Sequence, residues 1–331
     1  MNISSHSHNV SYTLQNQQQK SSVTKMVVVF ALGLIINYIN GTLLHTFRKH
    51  QIFYLNPRYI LFIHLVINDM IQLTTAISLV ILGNIFYRIN VVLCCFILTF
   101  ALCTTFNTPL NLAVMALECY VAVCLPLRHS ELCTINRTYI LIGCIWAMST
   151  VSVTADIFLA VAAEPKHLMF NNALYCENDN VLRHPVTSQK KVFSFIVFMV
   201  AVWFTIFYTY VNIFLAARAA KSTKSTSGHA KKARNTILLH GFQLLLSMLT
   251  YVAHLLIKGL ISLFPKNFSE IVFVVYVIVH IFPRLVSPIV YGLRDNTFRR
   301  YLKRHLLCAE RPGINIEMAP KPMLQYSKPR R

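Results

Sequence analysis

The chain has 331 residues, of which 55% are hydrophobic and only 13% charged, and its formal net charge is +20. A soluble protein carries roughly a quarter charged residues, so the composition excludes an ordinary soluble domain and points to a membrane. The His and Cys residues lack zinc-ligand spacing and build no nucleophilic constellation, which argues against an enzyme and implies neither metal nor cofactor.

Crossing a hydrocarbon layer takes roughly 20 apolar residues in helix. Seven segments meet that length: 26–47, 59–86, 89–127, 139–163, 192–217, 237–263 and 271–293. The alternation of barrel strands is missing. The expected fold is therefore an all-α membrane protein, a seven-transmembrane helix bundle. No internal repeat is visible, which counts against an inverted-repeat transporter.

Residues 1–25 read as a polar outer tail without the apolar stretch of a cleavable signal, so the first span is expected to act as an uncleaved anchor. Asn2-Ile3-Ser4 and Asn9-Val10-Ser11 are glycosylation sequons on that tail. With the N-terminus outside, the inner loops and tail hold 21 of the 31 Lys and Arg residues and the outer segments hold eight. That asymmetry follows the positive-inside rule. The net charge is thus expected to face anionic membrane lipid, and nucleic acid is the weaker reading.

Cys94 opens the third span and Cys176 sits in the long outer loop at 164–191. One bridge between them would tie that loop to the helix, and Cys95 competes for the same role because spacing does not set connectivity. After the seventh span, Phe298, Tyr301, Leu302 and Leu306 lie among basic residues at the spacing of a C-terminal amphipathic helix, 294–307, on the inner membrane surface. Cys308 at its end is a palmitoylation candidate, and 308–331 forms a basic inner tail.

The third span closes with MALECYVAVCLPLRH, residues 115–129. Asn40 lies in the first span, Leu65-Val66-Ile67-Asn68-Asp69 in the second and Trp146 in the fourth. Thr209-Tyr210-Val211-Asn212-Ile213 falls in the fifth, and His240 stands at the start of the sixth. The seventh ends Ser287-Pro288-Ile289-Val290-Tyr291-Gly292-Leu293-Arg294. In this order and at these spacings the motifs resemble the odorant receptors of the rhodopsin-like G-protein-coupled superfamily, in wording closest to the fish type.

That resemblance implies a multi-pass plasma-membrane receptor with its C-terminus in the cytoplasm. It would bind a small-molecule odorant and activate a heterotrimeric G protein, of the stimulatory olfactory type. The resemblance assigns the switch to Glu118, Cys119, Tyr120, Tyr210, His240, Ser287, Pro288 and Tyr291. The family carries Arg where this chain has Cys119, and Cys119 cannot hold a carboxylate with a guanidinium fork. Ser287 replaces an Asn and Met248 an aromatic. The alternative is therefore a decoy that binds odorant but couples weakly. A transporter or channel is less favoured, since Asp69, Arg284 and Glu118 form no continuous relay.

By the same resemblance the ligand site lies in the outer half, with Ala101, Leu102, Thr105, Ser194, Phe198, Tyr251, Val252 and His280 as lining residues. The third span has no acid between Cys94 and Leu117, which disfavours an amine ligand. An acid as deep as Asp69 needs a partner. The family holds sodium there, with Thr108 and Ser287 as the expected neighbours. Arg284, about one turn above Ser287, offers an ion pair in sodium's place.

Overall fold

In the computed structural model the described residues are 3–85, 89–163, 173–174, 185–220, 242, 245–246, 249, 252–253 and 256–287. Their side chains are described from residue 20 on, except within 83–91, 159–192, 194–195, 217 and 219–220. Helix α1 (Ile3–Lys49) leads by a 3₁₀ turn, Gln51–Phe53, into α2 (Pro57–Ile85). Strand β1 (Ile89–Asn90) precedes α3 (Val91–Cys124), the short α4 (Pro126–Leu132) and α5 (Ile135–Ala163). Strand β2 (Ala173–Leu174) and α6 (Pro185–Ala220) follow. The last described span is α7 (Phe268–Tyr276), which continues through a π-helical turn, Val277–Ile281, to residue 287.

Six of these helices are long and apolar enough to cross a membrane among the described residues. The segment expected as the sixth span, 237–263, is helical at every residue that is described. The amphipathic segment 294–307, the tail beyond it and Cys308 lie outside the described residues.

Two boundaries differ from expectation. The outer tail is helical from Ile3, because no Gly or Pro precedes Gly33 and the Gln-rich run propagates a helix well. The third span stops at Cys124 instead of 127, because a residue before Pro is driven out of helical geometry, and Pro126 then opens α4 at its first turn.

Polarity is inverted relative to a soluble protein. Tyr38, Phe158 and Phe204 are among the most exposed side chains, while Asn40, Asn68, Asp69, Asn107 and Asn111 are buried. Lipid tails reward apolar surface as well as a core does, so interior polar groups become the glue between helices. Helix α3 is the hub, packed on α2, α5 and α6. At the end expected to face the cytoplasm (inner, with the opposite end outer), Leu43, Phe47, Phe53, Ile60, Leu65, Leu112, Met115, Val202 and Ile206 build one apolar cluster. Gly33 lets α1 approach α2 closely, since a Cβ there would strike the Ile77 side chain.

Candidate functional site

At the outer end β1 and β2 pair antiparallel, Ile89 opposite Leu174 and Asn90 opposite Ala173, which draws the long outer loop against the start of α3. Cys94 is buried and disulfide-bonded, whereas Cys95 is a thiol. Cys176, two residues beyond Leu174, lies outside the described residues.

Of the expected ligand-lining residues, Ala101, Leu102 and Thr105 are half-buried on α3 and Phe198 on α6. Phe198 meets Phe106 edge to face at 5.5 Å between ring centroids. The Thr105 hydroxyl accepts from Gln72 Nε2 at 2.8 Å and donates to the Ala101 carbonyl at 2.7 Å, so its bonding capacity is largely used. His280, in the π turn of the seventh span, tilts over Tyr276 at 5.1 Å. Val252 is 40% exposed and lies at helical spacing from the exposed Leu245 and Leu256, while its neighbour Ala253 packs on Val275 and Val279. Ser194 lies on α6 without a described side chain, and Tyr251 is outside the described residues.

Two residues that sequence reasoning missed belong to this region. Gln72 Oε1 and the buried Tyr276 hydroxyl have no hydrogen-bond partner among the described residues. The signal for both was helical spacing: Gln72 follows Asp69 by one turn, and Tyr276 precedes His280 by one.

At the centre Asp69, Arg284 and Ser287 are all buried. Ser287 donates a hydrogen bond to Asp69, and the Arg284 charge acts on Asp69, Tyr276 and His280 together. Pro283 lacks the N–H that a helix would aim at the Val279 carbonyl, and Arg284 Nη1 donates to that carbonyl at 3.1 Å. Thr108, expected beside Asp69, instead accepts from Asn68 Nδ2 at 3.0 Å and donates to the Thr104 carbonyl.

A second polar chain crosses three helices. The Trp146 indole N–H donates to His64 Nε2 at 2.9 Å. Because indole only donates, Nε2 is the acceptor and the imidazole proton sits on Nδ1. Nδ1 therefore donates to Asn111 Oδ1 at 3.2 Å, and Asn111 Nδ2 donates to the Leu61 carbonyl at 3.1 Å. Every polar atom named in that chain is used.

At the inner face Cys119 is 2% exposed and packs with Ile213, Tyr210, Tyr120 and Val123. The position of the family Arg is thus an apolar contact between α3 and α6. Glu118 is held instead from elsewhere. Arg58 Nε reaches its Oε2 at 2.9 Å and Arg58 Nη2 its Oε1 at 3.3 Å, with His129 Nε2 at 3.4 Å from Oε1. His240, Pro288 and Tyr291 lie outside the described residues.

Residues 39–291 match the family described as 7 transmembrane receptor (rhodopsin family). The chain is also 30% identical over 313 residues to Odorant receptor 131-2 of Danio rerio, covering 93% of this chain and 92% of that receptor. The chain belongs to the rhodopsin-family seven-transmembrane receptors, a family of receptors rather than enzymes, and within it to the fish-type odorant receptors.

Proposed function

We propose that the chain binds a small-molecule odorant in the outer half of its bundle and activates a heterotrimeric G protein of the stimulatory olfactory type. The carrying observation is a buried polar atom left unmet among the described residues beside each of two expected lining residues: Gln72 Oε1, whose amide N–H is bound to Thr105, and the Tyr276 hydroxyl, whose ring lies against His280. Small ligands favour such mostly apolar walls with few polar anchors. The lining set is then Ala101, Leu102, Thr105, Ser194, Phe198, Tyr251 and His280, with Gln72 and Tyr276 added and Val252 left out. Binding would shift the bundle between two states that differ at the inner face.

In this reading the receptor sits in the plasma membrane with its N-terminus outside. Cys94 pairs with Cys176, Asn2 and Asn9 carry glycan, and Cys308 carries an acyl chain at the inner surface. Arg284 takes the role of sodium beside Asp69. A double charge swap that fails to rescue either single variant removes that pairing.

A second-messenger assay with odorant pools tests the reading. A native response that falls in Tyr276→Phe and Gln72→Leu at matched surface expression supports it. Odorant-evoked current in cells without G protein would make the chain a channel. The buried Cys119 favours the weakly coupling decoy as second reading, and a response that emerges only in Cys119→Arg decides for it.

A further inference from the structure

Arg58 stands at an awkward place for a cation. Asn56 caps α2, its Oδ1 accepting from the Arg58 backbone N–H at 3.0 Å, and Pro57 fills the first helical position. Arg58 is therefore in the first turn, where the helix dipole disfavours positive charge. Glu118 lies six residues before the end of α3 and is only 7% exposed. A carboxylate so buried needs a partner. The next residue in the chain, Cys119, cannot be one.

We propose that Arg58 and His129 form the latch of the inner face, taking over the acid that the family ties to the residue following it. The two N–H groups of Arg58 grip both carboxylate oxygens from α2, and His129 reaches the same carboxylate from α4. Three elements thereby converge on one group: α2, α3 and the short α4. About 100° further round α3, Cys119 closes the seam with Ile213 and Tyr210 of α6. Holding Glu118 fixes the rotation of α3 and so keeps Cys119 covered. Arg58 and His129 are positioning residues in this scheme, acting through Glu118.

The consequence for signalling rests on the receptor reading above, but the latch itself is measurable without odorant or G protein. The reporter is Cys119, in a variant whose other thiols are Ser and whose Cys94 and Cys176 are kept. A membrane-impermeant thiol reagent is added to the medium around inside-out vesicles, whose outer surface is the cytoplasmic face. Arg58→Gln is expected to speed Cys119 modification about tenfold, the equivalent of ~1.4 kcal/mol taken from the closed state. His129→Ala is expected to give a smaller rise, and Arg58→Lys, which keeps charge but loses the fork, an intermediate one. Arg58→Glu combined with Glu118→Arg should restore slow modification. Because Arg58 is one-third exposed, rising salt should narrow the gap between native and Arg58→Gln.

A merely structural Arg58 would lower surface expression without this salt dependence or rescue by the swap. Equal rates in native and Arg58→Gln, or a swap as fast as the single variants, overturn the latch. Faster modification with no second-messenger change under any odorant pool leaves the latch standing and removes the reading of G-protein activation instead.

Discussion

Two polar regions of the bundle, one around His64 and one around Gln72 and Tyr276, handle buried polarity in opposite ways. Toward the inner half, Trp146, His64 and Asn111 form a chain in which each donor meets an acceptor, and Glu118 is gripped at both oxygens. Toward the outer half, Gln72 gives its amide N–H to Thr105 but leaves Oε1 unanswered, and the Tyr276 hydroxyl is unanswered as well. In a medium without water an unmet polar group is a standing cost, whereas a closed chain locks helices together. The Trp146–His64–Asn111 chain is therefore built to hold a shape, whereas, among the described residues, Gln72 and Tyr276 are left open to be completed, as are the fully buried Asn40 and Asn107 amides.

The contrast is broken most strongly at Trp146. Trp146→Phe removes the single donor to His64 Nε2 and leaves a buried acceptor unmet between α2 and α5. The expected loss is about 1–2 kcal/mol, read as a lower midpoint of thermal unfolding for the detergent-solubilised receptor. A midpoint equal to native would mean that the Trp146–His64 bond does not tie the helices.

At the outer end the same kind of deletion should act with opposite sign. Tyr276→Phe removes a hydroxyl that has no partner among the described residues, so the ligand-free receptor should gain up to about 1 kcal/mol. The evoked response should fall at the same time. Destabilisation by Tyr276→Phe would show that its hydroxyl is already satisfied, and the region around Tyr276 would lose its distinction from the one around His64.

Much of this plan was legible in the sequence and some was not, for physical reasons. Helix length and apolar content gave the spans, since the bilayer imposes both. The acid at Glu118 and the unusual Cys119 were visible as a local motif. Arg58 as the partner of Glu118 was not, because the two residues are 60 positions apart. Asn56-Pro57-Arg58 by itself signals only a helix start. The rotation of the helix that carries Val252 was not legible, because a uniformly apolar helix gives no periodicity from which to read it. Thr108 stood at the expected height on α3, yet Asn68, the neighbour of Asp69, took its hydroxyl first.

The smallest expected effect lies just outside the latch, at Cys133. Burial pushes this thiol up from its ordinary range and the Glu118 carboxylate pushes it further, while Arg58 and Arg137 pull it back. Arg137 is held over α4 by a 2.8 Å bond from Nη1 to the Glu131 carbonyl, and it takes no part in gripping Glu118. Arg137→Gln removes one of the two cations that favour thiolate, so the pKa rises and the thiolate fraction at a given pH falls. The screening of exposed charge keeps the change small, so alkylation of Cys133 near neutral pH should slow by no more than about twofold. The rate of iodoacetamide labelling at that position measures it directly. A faster rate in Arg137→Gln would mean that the bond to Glu131 shields Cys133 sterically, and that the electrostatic influence of this corner on the thiol is secondary.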